Sequence, residues 1–137
     1  MDKDIVILLA EDDQGHAKLI IKNLKRAGLD NRIILFKDGQ EVLNYLFREG
    51  EGPHRDTAIR HILLLDISMP KVSGIEVLNR IKQSDELMKM PVIMITTTDD
   101  PQEVARCHKL GCSRYIIKTA DYDKFVEAIN ELGTFTW

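Results

Sequence analysis

The sequence predicts an α/β fold: a doubly wound sheet of five parallel strands in the order 2-1-3-4-5, covered by five helices. Three observations predict it. Short, continuous apolar runs recur along the chain, as strands buried on both faces require. Amphipathic segments of helical period separate those runs. Only one long polar stretch, residues 49–60, interrupts the alternation.

The elements follow in order. Ile5-Val6-Ile7-Leu8-Leu9-Ala10 is the first strand. Leu19, Ile20, Leu24 and Ala27 then recur at helical spacing, and Gly28 stops that helix. Ile33-Ile34-Leu35-Phe36 is the second strand, and Val42, Leu43, Leu46 and Phe47 stripe the second helix. Gly50, Gly52 and Pro53 mark residues 49–60 as a surface loop. Ile62-Leu63-Leu64-Leu65 is the third and most apolar strand; Ile75, Leu78 and Ile81 give the third helix. Pro91 introduces the fourth strand, Val92-Ile93-Met94-Ile95. Val104, Ala105, His108 and Leu110 form the fourth helix, ended by Gly111. Tyr115-Ile116-Ile117 is the fifth strand, and Tyr122, Phe125, Val126, Ile129 and Leu132 stripe the last helix. Right-handed crossovers between parallel strands leave few topologies besides the order 2-1-3-4-5.

Composition excludes several classes. The chain has 137 residues, of which 44% are hydrophobic and 30% charged, so it is long and apolar enough for one independent core. Nineteen basic against twenty-two acidic residues give a net charge of -3, without the basic footprint of a nucleic-acid binder. No apolar run approaches the ~20 residues of a membrane span. Met1-Asp2-Lys3-Asp4 lacks the pattern of a secretory signal, so a cytoplasmic location is expected. Cys107 and Cys112 are expected to be free thiols. His108 stands beside Cys107, but no second ligand pair completes a zinc pattern.

The polar residues that follow the strands carry the chemistry. Glu11, Asp12 and Asp13 follow strand 1, and Asp66 follows strand 3. Thr96 ends strand 4, with Thr97 and Thr98 behind it, and Lys118 ends strand 5. Strand 2, an edge strand, delivers Lys37 and Asp38. In an open parallel sheet all these positions share the carboxyl edge, where ligands bind. Gathered carboxylates repel one another, and a cation resolves that repulsion. Hard oxygen ligands point to Mg²⁺. A threonine hydroxyl and a lysine beside it suit phosphoryl oxygens, and a carboxylate so placed can be the nucleophile that accepts phosphate. Plainer roles compete. Asp12 or Asp13 can cap the first helix, with the cap preferred for Asp13, and Asp99 or Asp100 the fourth. Asp66 is harder to assign to a turn, because it ends a fully apolar strand before Met69-Pro70. His16 reads as a surface or capping residue rather than a ligand, and Tyr115 as core.

Glu11-Asp12 after an apolar strand, Asp66-x-x-Met69-Pro70-x-x-x-Gly74, Thr96 and Lys118 together resemble the full signature of a two-component response-regulator receiver domain. The resemblance covers essentially the whole chain. It implies the flavodoxin-like receiver fold and a phosphorelay role, in which a sensor histidine kinase donates its phosphoryl group to Asp66. It implies Mg²⁺ held by Glu11, Asp12, Asp66 and the backbone carbonyl of Ser68, with Thr96 and Lys118 on the phosphoryl oxygens. Thr96 and Tyr115 are then the switch pair that rearranges the α4–β5–α5 face, residues ~100–132. The receiver is expected to catalyse its own phosphotransfer and to be otherwise no enzyme. Ser68 and Thr98 flank the phosphoryl group in this reading. Neither offers a carboxylate or carboxamide to orient water, so moderate to slow self-dephosphorylation is expected.

A narrower resemblance is to single-domain receivers that accompany bacterial and cyanobacterial phytochromes. It rests on residues 11–17 and 22–28, on Thr96-Thr97-Thr98-Asp99-Asp100-Pro101, on Gly111-Cys112 and on the aromatic tail Phe135-Thr136-Trp137. It suggests a bacteriophytochrome-type kinase as phosphodonor. It also suggests a homodimer through the last helix and tail, with Tyr122, Phe125, Phe135 and Trp137 as contacts. The aromatic tail can equally fold back on its own core. A receiver over residues 1–132 and an extension over 133–137 leave no room for an output domain, so output is expected through protein contact, phosphorelay or dimerisation. One departure stands out: receivers usually carry proline after the lysine, and this chain carries Thr119. A non-proline cis bond there costs ~2.5–4 kcal/mol, so the loop either keeps it under strain or differs.

Two other functions fit less well. Aspartate-nucleophile phosphatases resemble Asp-x-Asp-x-Thr after their first strand, whereas here the candidate nucleophile follows strand 3. A flavin or nucleotide module needs a Gly- or Ser/Thr-rich phosphate loop after strand 1, where this chain places carboxylates.

Overall fold

The three central strands are apolar apart from His61 at the start of β3 and Thr96 at the end of β4, because both faces of the sheet are covered. The computed structural model describes residues 2–97 and 99–118, together with Glu127 and Glu131. The elements are β1 (Val6–Ala10), α1 (Gln14–Arg26), β2 (Ile33–Phe36), α2 (Gly39–Phe47), β3 (His61–Leu65), α3 (Gly74–Lys82), β4 (Val92–Thr96), α4 (Pro101–Leu110) and β5 (Arg114–Ile117). The strands pair in parallel in the predicted order β2-β1-β3-β4-β5. Every residue of β1, β3 and β4 is buried, while β2 and β5 are half-covered, as edge strands are. The helices among the described residues number four. The stripe expected for a fifth (Tyr122, Phe125, Val126, Ile129 and Leu132), the tail aromatics Phe135 and Trp137, and Thr98 and Thr119 lie outside the described residues.

The pleat sorts the strand side chains into two cores. Leu8, Leu63, Leu65 and Met94 pack with Val42, Leu46, Leu78 and Ile81 on one side. Ile7, Leu9, Ile62, Leu64 and Ile93 pack with Ala17, Ile20 and Leu24 on the other. Truncating any of the fully buried leucines to alanine costs about 2–5 kcal/mol.

Each helix starts on a side-chain cap. Asp13, Asp38, Ser73 and Asp100 accept backbone N–H bonds from His16, Glu41, Glu76 and Gln102 respectively. The cap expected of Asp13 is therefore present, and Asp100 fills that role for α4, with Pro101 in the first turn. Gly111 closes α4 at φ 95°, a conformation that costs glycine nothing.

Cys107 and Cys112 are free, as expected, and both are buried. Burial pushes the Cys107 thiol up to about 11, with Cys112 nearby adding to the rise, and burial also raises Cys112. The thiolate is the reactive form. Native protein at pH 8 should therefore resist iodoacetamide while urea-unfolded protein takes two alkyl groups; mass spectrometry of the quenched samples reads the difference.

The sequence reading missed a buried polar pair at the opposite end of the sheet. His61 opens β3, and its Nε2 lies 2.9 Å from the Tyr45 hydroxyl. Burial, with Arg55 nearby, holds the imidazole below its ordinary 6.5. The unfolded chain thus takes up this proton at a higher pH than the folded one. The stabilisation is complete above pH 6.5 and is lost as pH falls through the unfolded value. Urea unfolding from pH 7.5 to 5 should show a decline of up to about 1.4 kcal/mol per pH unit from this group, and His61→Gln should flatten it.

Candidate functional site

The ends of the strands are tied together by backbone bonds, and these set the site. The Glu11 amide donates to Phe36 O at 3.0 Å, and the Asp66 amide to Ala10 O at 3.0 Å. The Lys118 amide donates to Thr96 O at 2.7 Å. Glu11, Asp66 and Thr96 are buried, at 2%, 5% and 1% exposure, whereas Asp12 is exposed. Carboxylate oxygens of Glu11, Asp12 and Asp66 all lie within 4.8 Å of one another. The sequence reading placed these residues on one edge, and the structure brings them into one cluster.

Lys118 reaches into that cluster with a side chain 9% exposed. Its ammonium pairs with Glu11 Oε2 and with Asp66 Oδ2, the latter at 3.2 Å. Glu11 Oε1 accepts the Asp13 amide at 3.1 Å, and Asp66 Oδ1 accepts the Ser68 amide at 3.4 Å. Burial pushes the Glu11 carboxyl above its ordinary value, the Asp66 charge adds to the rise, and Lys118 opposes it. One ammonium faces three carboxylates. The surplus of hard oxygen donors fits a divalent cation such as Mg²⁺, which takes carboxylates, carbonyls and water.

The β3–α3 turn that carries Ser68 depends on Gly74. A Cβ at Gly74 would stand 2.0 Å from the Asp66 carbonyl oxygen, and the Gly74 amide donates to Ile67 O at 2.8 Å. The helix start therefore lies directly against the backbone of the candidate acceptor. Gly39 is similarly confined: a Cβ there would stand 2.0 Å from Val72 O. The Gly74 position was legible as part of a motif; the Gly39 contact left no signal in the sequence.

Tyr115 is half-buried against the larger core, its ring 6.4 Å from that of His108 at 40°. Burial pushes its phenol up to about 12. Thr98, Tyr122, Phe125, Phe135 and Trp137 lie outside the described residues. His16 is the residue whose place the sequence did not reveal. Its amide belongs to the Asp13 cap, at 3.0 Å, but its Nδ1 lies 3.2 Å from Lys118 Nζ and 3.9 Å from Glu11 Oε1. The available signal was its position: the first turn of the helix that follows Glu11-Asp12 faces back toward the strand ends. Among the described residues, no helix is long and apolar enough to cross a membrane.

Comparison with known proteins agrees with this arrangement. Residues 7–130 match the response regulator receiver domain family. A response regulator receiver domain from Rhodospirillum rubrum is 40% identical, with a TM-score of 0.78 over 93% of this chain and 90% of that one. The Mn²⁺-bound form of response regulator Rcp1, a protein of Synechocystis, is 30% identical, with a TM-score of 0.78 over 95% and 92%. The phosphorylated cyanobacterial phytochrome response regulator RcpA is 28% identical, with a TM-score of 0.79 over 96% of each chain. On its strand order, its clustered acidic edge and the family match over residues 7–130, the chain belongs to the response regulator receiver domains of two-component signalling.

Proposed function

We propose that this receiver takes a phosphoryl group onto Asp66 from the phosphohistidine of a sensor histidine kinase. The observation that carries the reading is the buried Asp66 carboxylate, held between Glu11-Asp12 and the Lys118 ammonium. An Asp66 carboxylate oxygen attacks phosphorus, the phosphorus–nitrogen bond breaks, and its electron pair returns to the imidazole of the donor. The product on this chain is an acyl phosphate. Glu11, Asp12, Asp66 and the Ser68 carbonyl hold Mg²⁺, whose positive charge, when bound, offsets that of the phosphoryl oxygens. Lys118 and the Thr96 hydroxyl bind those oxygens. Because Lys118 already touches Asp66, it changes partner by a short movement.

The new charge biases a two-state element, as in other phosphorylation switches. Thr96 turns toward the phosphate and Tyr115 moves in behind it. That alters the surface of α4 and β5 and the following segment, read by a partner or by a second copy of the chain. Tyr122, Phe125, Phe135 and Trp137 are the proposed dimer contacts. Ser68 and Thr98 border the phosphoryl group and leave water unoriented, so the acyl phosphate is long-lived. The receiver spans residues 1–132 with the extension 133–137 and acts in the cytoplasm, without nucleic acid or membrane as partner. The likeness to RcpA, a cyanobacterial phytochrome response regulator, supports a phytochrome-type kinase as donor.

The test is phosphotransfer from a purified, autophosphorylated phytochrome-type kinase in Mg²⁺ buffer. Loss of label from the kinase histidine and its appearance on this chain, but not on Asp66→Asn, is the expected result. Retention of the label by that kinase, alongside rapid transfer from an unrelated histidine kinase, would refute the phytochrome pairing.

A further inference from the structure

An ammonium has three N–H bonds, and around Lys118 three acceptors stand ready. Two are the carboxylates of Glu11 and Asp66. The third is His16 Nδ1, 3.2 Å from Lys118 Nζ and 102 residues away in the chain. The histidine is itself fixed. It sits in the first turn of α1, and its amide is bound by the Asp13 cap at 3.0 Å. Its side chain is 43% exposed, so it stands between the buried carboxylates and solvent.

We propose that His16 is a positioning residue for Lys118. The inference rests on the phosphoryl-acceptor reading of the site and adds to it. The imidazole with its proton on Nε2 accepts one Lys118 hydrogen at Nδ1. This neutral acceptor takes the hydrogen that the two carboxylates leave over and so fixes the rotation of the ammonium beside Glu11 and Asp66. A lysine held only by Glu11 and Asp66 leaves its third hydrogen without a fixed direction. A lysine tethered on a third side keeps one orientation among the carboxylates, and an incoming phosphoryl oxygen replaces one acceptor without the side chain having to be repositioned. A leucine at position 16 keeps the apolar bulk and removes the acceptor. A glutamine restores an acceptor oxygen at similar reach.

The experiment compares wild type, His16→Leu and His16→Gln, each also in a Lys118→Ala background. Phosphorylation by acetyl phosphate in Mg²⁺ is read by intact mass. The expected result is about a fivefold slower rate for His16→Leu, as for loss of one charge-assisted hydrogen bond at a half-exposed position. His16→Gln should lie within about twofold of wild type, and His16→Leu should cost nothing further once Lys118 is alanine. An unchanged rate in His16→Leu, equal slowing in Leu and Gln variants, or full additivity with Lys118→Ala would each overturn the proposal.

A second readout needs no phosphodonor. ¹⁵N NMR of the free protein should show His16 with Nε2 protonated and Nδ1 accepting, and a slowly exchanging Lys118 ammonium in wild type and His16→Gln but not in His16→Leu. A protonated Nδ1, or equal ammonium exchange in all three, overturns the tether even where phosphorylation proceeds. A tether seen by NMR in a protein that takes no phosphoryl group would instead refute the acceptor reading.

Discussion

Replacing Lys118 by alanine should damage both the stability and the chemistry of the protein. The ammonium is the cation that the structure sets between Glu11 and Asp66, whose side chains are 1% and 7% exposed. Removing one partner of a buried pair leaves the other charges without compensation, which costs about 3 kcal/mol. Burial already raises the Glu11 carboxyl, and Lys118 opposes that rise, so its loss favours a protonated Glu11. Urea unfolding should therefore show a lower midpoint for Lys118→Ala in metal-free buffer. Added Mg²⁺ should recover part of the loss, because a divalent cation at the same carboxylates supplies the missing positive charge. Phosphorylation by acetyl phosphate should fall about a hundredfold even in saturating Mg²⁺, since the phosphoryl oxygens lose a charged ligand. Unchanged stability together with an unchanged phosphorylation rate would show that the ammonium plays neither part.

Gly74→Ala should be nearly as harmful, through the backbone. The added Cβ would stand 2.0 Å from the Asp66 carbonyl oxygen and 2.8 Å from both Asp66 C and Ile67 Cα. None of those atoms is the end of a flexible side chain. Alanine in a helix gains about 1 kcal/mol over glycine, but most of that gain belongs to helix interiors, and Gly74 starts α3. The clash dominates, and the expected loss is about 3 kcal/mol. Because the displaced backbone belongs to Asp66 and Ile67, the acceptor carboxylate moves with it. Circular dichroism in urea measures the stability, and intact mass after acetyl phosphate measures acceptance by the fraction that remains folded. A variant as stable as wild type would mean that α3 can retreat from the strand at little cost.

How much of this was legible in the sequence depends on the kind of signal. Burial on both faces writes itself as an unbroken apolar run, so β1, β3 and β4 could be read directly, and their order follows from parallel crossovers. The shared edge of Glu11, Asp66, Thr96 and Lys118 follows from that topology, since each stands at or just after the end of a strand. Contacts between polar side chains far apart in the chain have no such periodicity. The His16–Lys118 bond spans 102 residues, and the Tyr45–His61 pair joins a helix to the start of a strand. His61 was left out of its strand because a histidine does not read as apolar, yet its bond to Tyr45 lets it be buried. The confinement of Gly39, where an added Cβ would stand 2.0 Å from Val72 O, likewise depends on how α2 meets the loop before α3, which no local pattern records.

The central claim is that the acidic edge accepts a phosphoryl group at Asp66 with the help of a divalent cation. Intact-mass spectrometry after acetyl phosphate tests it most directly, with wild type and Asp66→Asn each measured in Mg²⁺ and in chelator. The account predicts one added phosphoryl group in wild type with Mg²⁺, and none in chelator or in the folded Asp66→Asn protein, whose amide oxygen is a poor nucleophile. No addition to wild type in Mg²⁺, or equal addition to Asp66→Asn, would contradict it.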